Sequence, residues 1–201
     1  MRIHCVVAVA LALAALPLAA QSNDIGLWYS TARLAGSSSA DGSLSFDDPT
    51  GYGVSFNHFW SGPLSTELSA YWLRGKGGID VAGSRVLDVG KLELKPITAN
   101  VQWHFARASM LSPYVGAGLA YVRAGDLSSG DLDLAGIGTV KIDKKLTWDA
   151  NAGINIGLGR VFAIAVDAKY IKYEPDSEAA GSTEKLKFNP LALSAGVKLR
   201  W

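Results

Sequence analysis

Cysteine is almost missing from this chain. Of 201 residues only Cys5 carries a thiol, so no internal disulfide can form and the fold must rest on packing and hydrogen bonds. Histidine is scarce at three residues, two of them, His58 and His104, beyond position 20. No zinc spacing, phosphate-cradling glycine loop or nucleophile elbow occurs, so no metal or other cofactor is expected. Charge of one sign is lacking too: 19 Lys and Arg are set against 18 Asp and Glu without a like-charge block, which argues against nucleic acid as a partner. Past residue 20 no apolar run reaches the roughly 18 residues of a membrane-spanning helix, and helical apolar spacing is rare. What is plentiful is glycine, 22 residues, and apolar side chains at every second position.

The N-terminus reads MRIHCVVAVALALAALPLAAQ. Arg2 gives a small positive start, Val6 to Leu16 form an apolar core too short to span a bilayer, and small residues lead to a cleavage point after Ala20. Residues 1–20 are therefore expected to be a secretory signal peptide and residues 21–201 the exported, thiol-free protein. An exported chain without a spanning helix is either soluble or a closed barrel, because only helices and closed barrels satisfy every backbone group in lipid.

Alternation recurs in eight stretches: 24–35, 50–60, 64–74, 95–105, 113–124, 146–158, 160–174 and 184–201. Each is near the roughly 9–11 residues that a tilted strand needs to cross a membrane. The connections alternate in length. They are short at 61–63, at 106–112 and around Gly159, and long at 36–50, 75–90, 126–145 and 175–184. Short turns on one side and long loops on the other are the outer-membrane pattern, and an even strand count puts both termini on the short-turn, periplasmic side.

Pairing the strands tests the faces. If residues 50–60 and 64–74 pair so that their numbers sum to 124, Trp60 meets Leu64, Phe56 meets Leu68, Val54 meets Ala70 and Tyr52 meets Trp72 on one side. On the other, Asn57 meets Glu67, Ser55 meets Ser69 and Gly53 meets Tyr71. The hairpin at Gly159, with sum 318, puts Ile156 with Phe162, Ile154 with Ile164, Ala152 with Val166 and Trp148 with Tyr170 outside. Inside it puts Asn151 with Asp167 and Asp149 with Lys169. A soluble sandwich or lipocalin-like barrel would alternate the same way with its apolar face as core. Small residues on the polar face, aromatics at strand ends and a final strand closing on Trp201 favour lipid as the apolar solvent. The expected fold is all-β, an eight-stranded antiparallel transmembrane β-barrel.

PITANVQWHF (96–105) followed by a short turn and PYVGAGLAY (113–121) resembles the central hairpin of the OmpW family of small outer-membrane barrels. LTWDANAGINIGLGRVFAIAVDAKYI and NPLALSAGVKLRW are similar to that family's last three strands. The resemblance spans residues 24–201, with the loops differing most. One departure is Trp201, where a Phe is usual; it keeps the aromatic terminus that the barrel-assembly machinery recognises. The resemblance implies a monomeric barrel in the outer membrane of a Gram-negative bacterium. Its narrow, porin-like channel would carry small hydrophobic molecules. Other members of the family are regarded as stress-responsive surface proteins or receptors.

Several interior features bear on that function. Pairing the last hairpin with sum 359 sets Ile171 against Phe188 and Tyr173 against Leu186 on the inner face, with Tyr71 and Leu73 near the same end. An apolar vestibule for hydrophobic solutes is one reading; filling of a narrow interior, or strand ends packed under loops, are the others. Glu67, Asp149, Asp167, Lys169, Lys198 and Arg200 point inward. Both signs are present in similar number, which fits an ion-pair network better than a selectivity filter. Pro96 and Pro190 sit within strands, where each removes a ladder donor. At Pro190 the wall either opens sideways or merely bulges. His58 has Ser61 on the opposite face and His104 has no serine at i+2, so an enzyme is not expected. Arg74, Lys76, Arg85, Lys91, Arg123, Lys144, Lys145, Lys185 and Lys187 gather near the long loops, where they serve either lipopolysaccharide phosphates or solubility. Two functions follow: a passive channel for small hydrophobic molecules, or a closed structural, adhesive or receptor barrel whose loops act.

Overall fold

A computed structural model describes residues 23–34, 37–39, 42–81, 84–126, 141–179, 182–185 and 187–201. The expected signal peptide and Leu186 lie outside the described residues. Eight long strands form the wall: β1 (Asn23–Arg33), β2 (Thr50–Ser61), β3 (Leu64–Val81), β4 (Ser84–His104), β5 (Leu111–Ala124), β6 (Lys145–Leu158), β7 (Phe162–Ile171) and β8 (Leu191–Arg200). Each pairs antiparallel with its neighbour in sequence, and β1 also pairs with β8, from Asp24↔Arg200 to Arg33↔Leu191, so the sheet closes on itself. At the long-loop end, Ser37–Ser39 and Gly42–Phe46 extend the sheet beside β3. Lys141–Ile142, Asp176–Ala179 and Ser182–Lys185 make a separate three-stranded sheet.

The faces of this wall are inverted relative to a soluble protein. Tyr52 is 71 % exposed and Leu27 60 %, and they are joined outside by Leu68, Ile97, Val101, Leu119, Leu193 and Val197. Inside, Asn57, Glu67, Asn100, Gln102, Asp149 and Lys198 are buried. A continuous apolar exterior of this extent has no place in water. It suits hydrocarbon, where closure leaves no unpaired strand edge. The soluble sandwich and soluble barrel are thereby excluded.

Among the described residues facing follows the expectation, but register does so only in part. β2 and β3 pair with sum 124 from Thr50↔Arg74 to Phe59↔Ser65, then shift to Ser61↔Leu64. Trp60 therefore sits in a bulge instead of opposite Leu64, and its indole Nε1 donates to Thr66 Oγ1 at 2.8 Å. The β6–β7 hairpin pairs Leu158 with Phe162 and Ile156 with Ile164, a sum of 320 in place of 318. A sum of 318 would leave a one-residue loop, whereas hairpins need at least two; the chain uses a three-residue turn with Gly159 at φ +83. Asp167 thus lies opposite Gly153, Lys169 opposite Asn151 and Asp149 opposite Ile171, so the expected Asp149–Lys169 pair is not formed and Asn151 reaches Asp167 diagonally instead of from directly opposite. The β7–β8 hairpin slips likewise, from 359 to 361. Ile171 N donates to Pro190 O and Phe188 N to Tyr173 O, which sets Tyr173, not Ile171, against Phe188. Each slip is two residues, so no side chain changes face.

The strand ends also differ. β3 and β4 run on through 75–90, expected as a long loop, as far as Val81↔Ser84. The final strand instead begins later than expected: 187–190 lie outside it. Pro190 accordingly precedes β8 and does not sit within it.

Three inward aromatics lie flat over glycines of the next strand: Trp28 on Gly196, Tyr71 on Gly53 and Tyr114 on Gly153. A β-carbon at Gly53 would stand 2.3 Å from the Tyr71 ring. Gly53→Val should therefore destabilise the folded barrel by about 1–3 kcal/mol through overpacking. The outward change Val54→Leu should be near neutral. Urea midpoints in detergent, read as the loss of the heat-modifiable compact band, check both.

Candidate functional site

The interior has two halves of opposite chemistry. Toward the short-turn end it is a polar network supplied by every strand. Glu67 of β3 receives Lys169 of β7 at 3.4 Å and approaches Lys198 of β8 at 4.0 Å. Lys169 Nζ also donates to Ser69 Oγ at 3.1 Å and Thr98 Oγ1 at 3.0 Å. Lys198 Nζ rests over the rings of Trp28 and Tyr114 at 5.2 and 5.3 Å. Asn100 donates to Asp149 at 2.5 Å. Tyr114 and Asn151 donate to Asp167 at 2.8 and 2.9 Å. Asn57 donates to Gln102, and Asp24 meets Arg200 at 3.7 Å near the turns. Apart from partly buried Arg200, the charged groups in this set are buried. Taking such charges out of water is costly unless they are paired and hydrogen-bonded; Lys169, Asp149 and Asp167 are hydrogen-bonded, whereas Lys198 is held only by Glu67 at 4.0 Å and by the two rings. The same side chains fill the passage, as expected for the narrow interior of eight strands.

All six expected lumen charges face inward, but only Glu67, Lys169 and Lys198 meet one another. Asp149 and Asp167 are held by amides and a phenol, not by Lys169. Alternation could not reveal the amide and aromatic members of the network, since they carry no charge to mark them. Trp28 was hidden because apolar Leu27 and Tyr29 flank it and blur the alternation of β1; its signal was the glycine opposite. Ser65 and His104 share a buried hydrogen bond at 3.1 Å, a pairing between adjacent strands that a search within one strand misses. His58 faces outward at the short-turn end, where its Nδ1 lies 2.8 Å from Asn23 Oδ1 and its ring packs edge-on against Trp60.

Toward the long-loop end the interior becomes apolar. Tyr71, Leu73, Leu92, Leu94, Val122, Ile171, Tyr173 and Phe188 are all buried in one cluster. Five of the six expected vestibule residues, Tyr71, Leu73, Ile171, Tyr173 and Phe188, lie there, and the Phe188 ring stacks on Tyr173 at 5.7 Å. The Tyr173 hydroxyl donates to the carbonyl of Asp143 at 2.9 Å, tying this layer to the loop above. At the rim, Lys172 donates to Glu174 at 2.7 Å and holds that carboxyl below its ordinary range.

Within the apolar half lies a cavity of about 20 Å³, lined by Tyr71, Leu73, Leu94, Pro96, Val122, Ile171, Pro190 and Ala192, with Lys169 and Ser194 as its floor. Pro96 and Pro190, on opposite walls, thus meet the same space. At Pro96 the β3–β4 ladder passes from Ala70↔Ile97 to Leu73↔Leu94, and the two pairs between are lost. At Pro190 the carbonyl accepts from Ile171, but proline has no N–H to return, so the β7–β8 seam lacks one bond at its outer end.

The basic residues of the long-loop end are partly engaged. Arg74 and Lys95 both bind Glu93, at 2.9 and 2.8 Å, and Lys145 donates to the Glu174 carbonyl. The side chains of Arg85 and Lys185 lie outside the described residues.

Comparison with known proteins agrees with this architecture. An uncharacterized outer-membrane protein of Sinorhizobium fredii is 25% identical over 166 residues, covering 79% of this chain and 69% of that protein. The crystal structure of the outer membrane protein OprG from Pseudomonas aeruginosa superposes with a TM-score of 0.78 at 14% identity, covering 90% of this chain and 96% of that one. The solid-state NMR structure of the outer membrane protein AlkL in lipid bilayers gives 0.69 at 19% identity, covering 93% and 94%. At these identities the two structures speak to the fold alone. The OmpW family itself matches residues 23–201, every strand of the wall, and with the closed eight-stranded architecture this shows that the chain belongs to the OmpW family of outer-membrane β-barrels.

Proposed function

We propose that this barrel is a narrow passive channel through which small hydrophobic molecules enter the outer membrane of a Gram-negative bacterium, each monomer acting alone. The carrying observation is the change of chemistry along the lumen. An apolar chamber at the long-loop end sits on a floor of buried charges, held partly by one another and partly by uncharged donors. In this reading the signal peptide directs export, the short turns and both termini face the periplasm, and the long loops face outside. A hydrophobic solute entering from the loops finds favourable contacts in the chamber and none in the network below. The cavity is too small for such a solute, so uptake requires Tyr173 and Phe188 to move aside. With the floor closed, the exit is sideways. The β7–β8 seam at Pro190, short of a hydrogen bond and lined on its inner side by the cavity, is the weakest place beside the chamber.

The rival reading, a closed barrel whose loops bind partners, is separated by transport. In proteoliposomes the wild-type protein should pass a small hydrophobic probe and retain a hydrophilic one of similar size; failure to pass either favours the closed barrel. Pro190→Val should slow hydrophobic uptake several-fold while leaving the folded fraction intact, and unchanged uptake would remove the lateral exit. Trp201 hydrogen-bonds through its backbone to Asn23 and lies 6.4 Å from the Phe56 ring at the short-turn rim. We assign it the role of assembly signal for the barrel-assembly machinery. Deleting it should lower the membrane-inserted fraction in cells while the protein that does insert keeps its solute preference.

A further inference from the structure

The outer surface carries a row of cations, Lys95, Arg123 and Lys144, that the proposed route does not use. β4 pairs Lys95 with Arg123 of β5, two like charges directly opposite each other on the exposed face. The β5–β6 register ends at Val122↔Lys145, so Lys144 is next in line beside Arg123. Like charges placed opposite on adjacent strands destabilise a sheet unless an anion lies between them. Glu93 already takes Arg74 as well as Lys95. Arg123 and Lys144 line, with Lys95, a cleft of about 430 Å³ whose cations are exposed and whose wall is completed by buried Ala124 and Ile142, by Gly125 and by the carboxylates Asp126 and Asp143.

The position of the cleft identifies its occupant. Two residues below the cation row, Ile97 pairs with Tyr121 and Tyr121 with Leu146, all exposed. Two residues of strand are about 7 Å, so the cations stand directly above the upper edge of the apolar belt, where lipid headgroups begin. Trp72 and Trp148 are exposed at the same border, as interfacial aromatics are. A bare phosphate would use the cations and leave the two carboxylates facing it unfavourably. A phosphorylated sugar uses both: its phosphate takes Arg123 and the lysines through charge-assisted bonds, and its hydroxyl and amide groups donate to Asp126 and Asp143. Acyl chains attached to that sugar would run down over Ile97, Tyr121 and Leu146.

We infer that the β4–β5–β6 face holds a built site for one phosphorylated glycolipid of the outer leaflet, its headgroup phosphate clamped by Lys95, Arg123 and Lys144. The inference rests on the outward orientation of the long loops proposed above, but not on transport. It assigns the β4–β5–β6 face a fixed lipid on the wall away from the β7–β8 seam.

Binding of bisphosphoryl lipid A to the purified barrel in dodecylmaltoside, followed by native mass spectrometry, tests the site independently of orientation. Wild type should retain one lipid A, and the triple variant K95Q/R123Q/K144Q should lose at least about tenfold in affinity. K76Q/K91Q, which removes a second directly opposed pair of exposed cations, four residues farther from the apolar belt along β4, should bind as wild type, because no acyl chain reaches the belt from there. Fully dephosphorylated lipid A should bind as weakly as the triple variant, and inorganic phosphate should not displace the lipid. Equal loss in K76Q/K91Q would overturn the site in favour of diffuse surface charge. Equal binding of dephosphorylated lipid would reduce it to apolar contact, and displacement by inorganic phosphate would make it a soluble-anion site. If the triple variant does not show the heat-modifiable folded band, R123Q alone should weaken binding about threefold, and no change there sinks the proposal. Uptake of the hydrophobic probe by K95Q/R123Q/K144Q should match wild type, so failure of lipid binding and failure of transport are read separately.

Discussion

Hydrocarbon supplies no hydrogen-bond partner, and nearly everything in this structure follows from that one constraint. A sheet in lipid must close so that no strand edge is left open, which β1 achieves by pairing with both β2 and β8. Closing eight strands leaves a lumen barely wider than its own side chains. Inward positions must then be glycine, serine or alanine where an aromatic lies opposite, as Gly53 is beneath Tyr71 and Gly196 beneath Trp28. The polar residues that remain inside must satisfy one another, because little water reaches them. Glu67 between Lys169 and Lys198 is the centre of that arrangement, with the uncharged donors Asn100, Asn151 and Tyr114 hydrogen-bonding Asp149 and Asp167.

Period-two alternation carries parity but not register, and this explains what could be read from the sequence. Faces were legible in nearly every strand, since a slip of one residue would put Lys198 into lipid and Val197 into the lumen. A slip of two costs nothing in that code, and both of the last two hairpins slipped by two. In β6–β7 the arbiter was the three-residue turn at Gly159, and in β7–β8 it was the kink at Asn189, φ 34, before Pro190. The β2–β3 register was legible because Ser61–Pro63 is itself a tight turn, and it failed only where Trp60 bulges out. The extension of β3 and β4 through 75–90 was illegible: glycine-rich sequence looks like loop, yet beyond the membrane two strands can pair without any apolar face to announce them.

Legibility of the interior divided along charge. Glu67, Lys169 and Lys198 stand out because charge on an otherwise apolar strand demands a partner. Asn57, Gln102 and Asn100 do not stand out, although they do the same work of satisfying buried groups. The apolar layer was visible as a change of character near the long-loop end, through Tyr71, Leu73 and Ile171. Its depth was not, because Leu92 and Leu94 sit just before Pro96, between the loop expected at 75–90 and the strand expected from 95.

The two prolines show how one wall serves opposite needs. A transmembrane sheet gains its stability from an unbroken ladder, and a proline in it is tolerated only where the lost bond lies near an end or where packing replaces it. Pro96 lines the same cavity as Pro190, but it stands opposite Val122 of β5, within an unbroken β4–β5 register. Pro190 has the β7–β8 seam on one side and the chamber behind it, and Leu191 and Tyr170 on the lipid side are the last residues of that ladder. The two missing donors are therefore unequal. Opening at Pro96 must break a long hairpin anchored on both sides of the gap, from Leu64↔Trp103 to Val81↔Ser84. Opening at Pro190 must part only the short stretch beyond it, where Phe188 N and Asn189 N donate to the Tyr173 carbonyl. If an apolar solute leaves this barrel sideways, the energetics of the ladder choose the β7–β8 seam. The glycolipid inferred on the β4–β5–β6 face would stiffen the far wall, so that a yielding seam does not loosen the whole barrel.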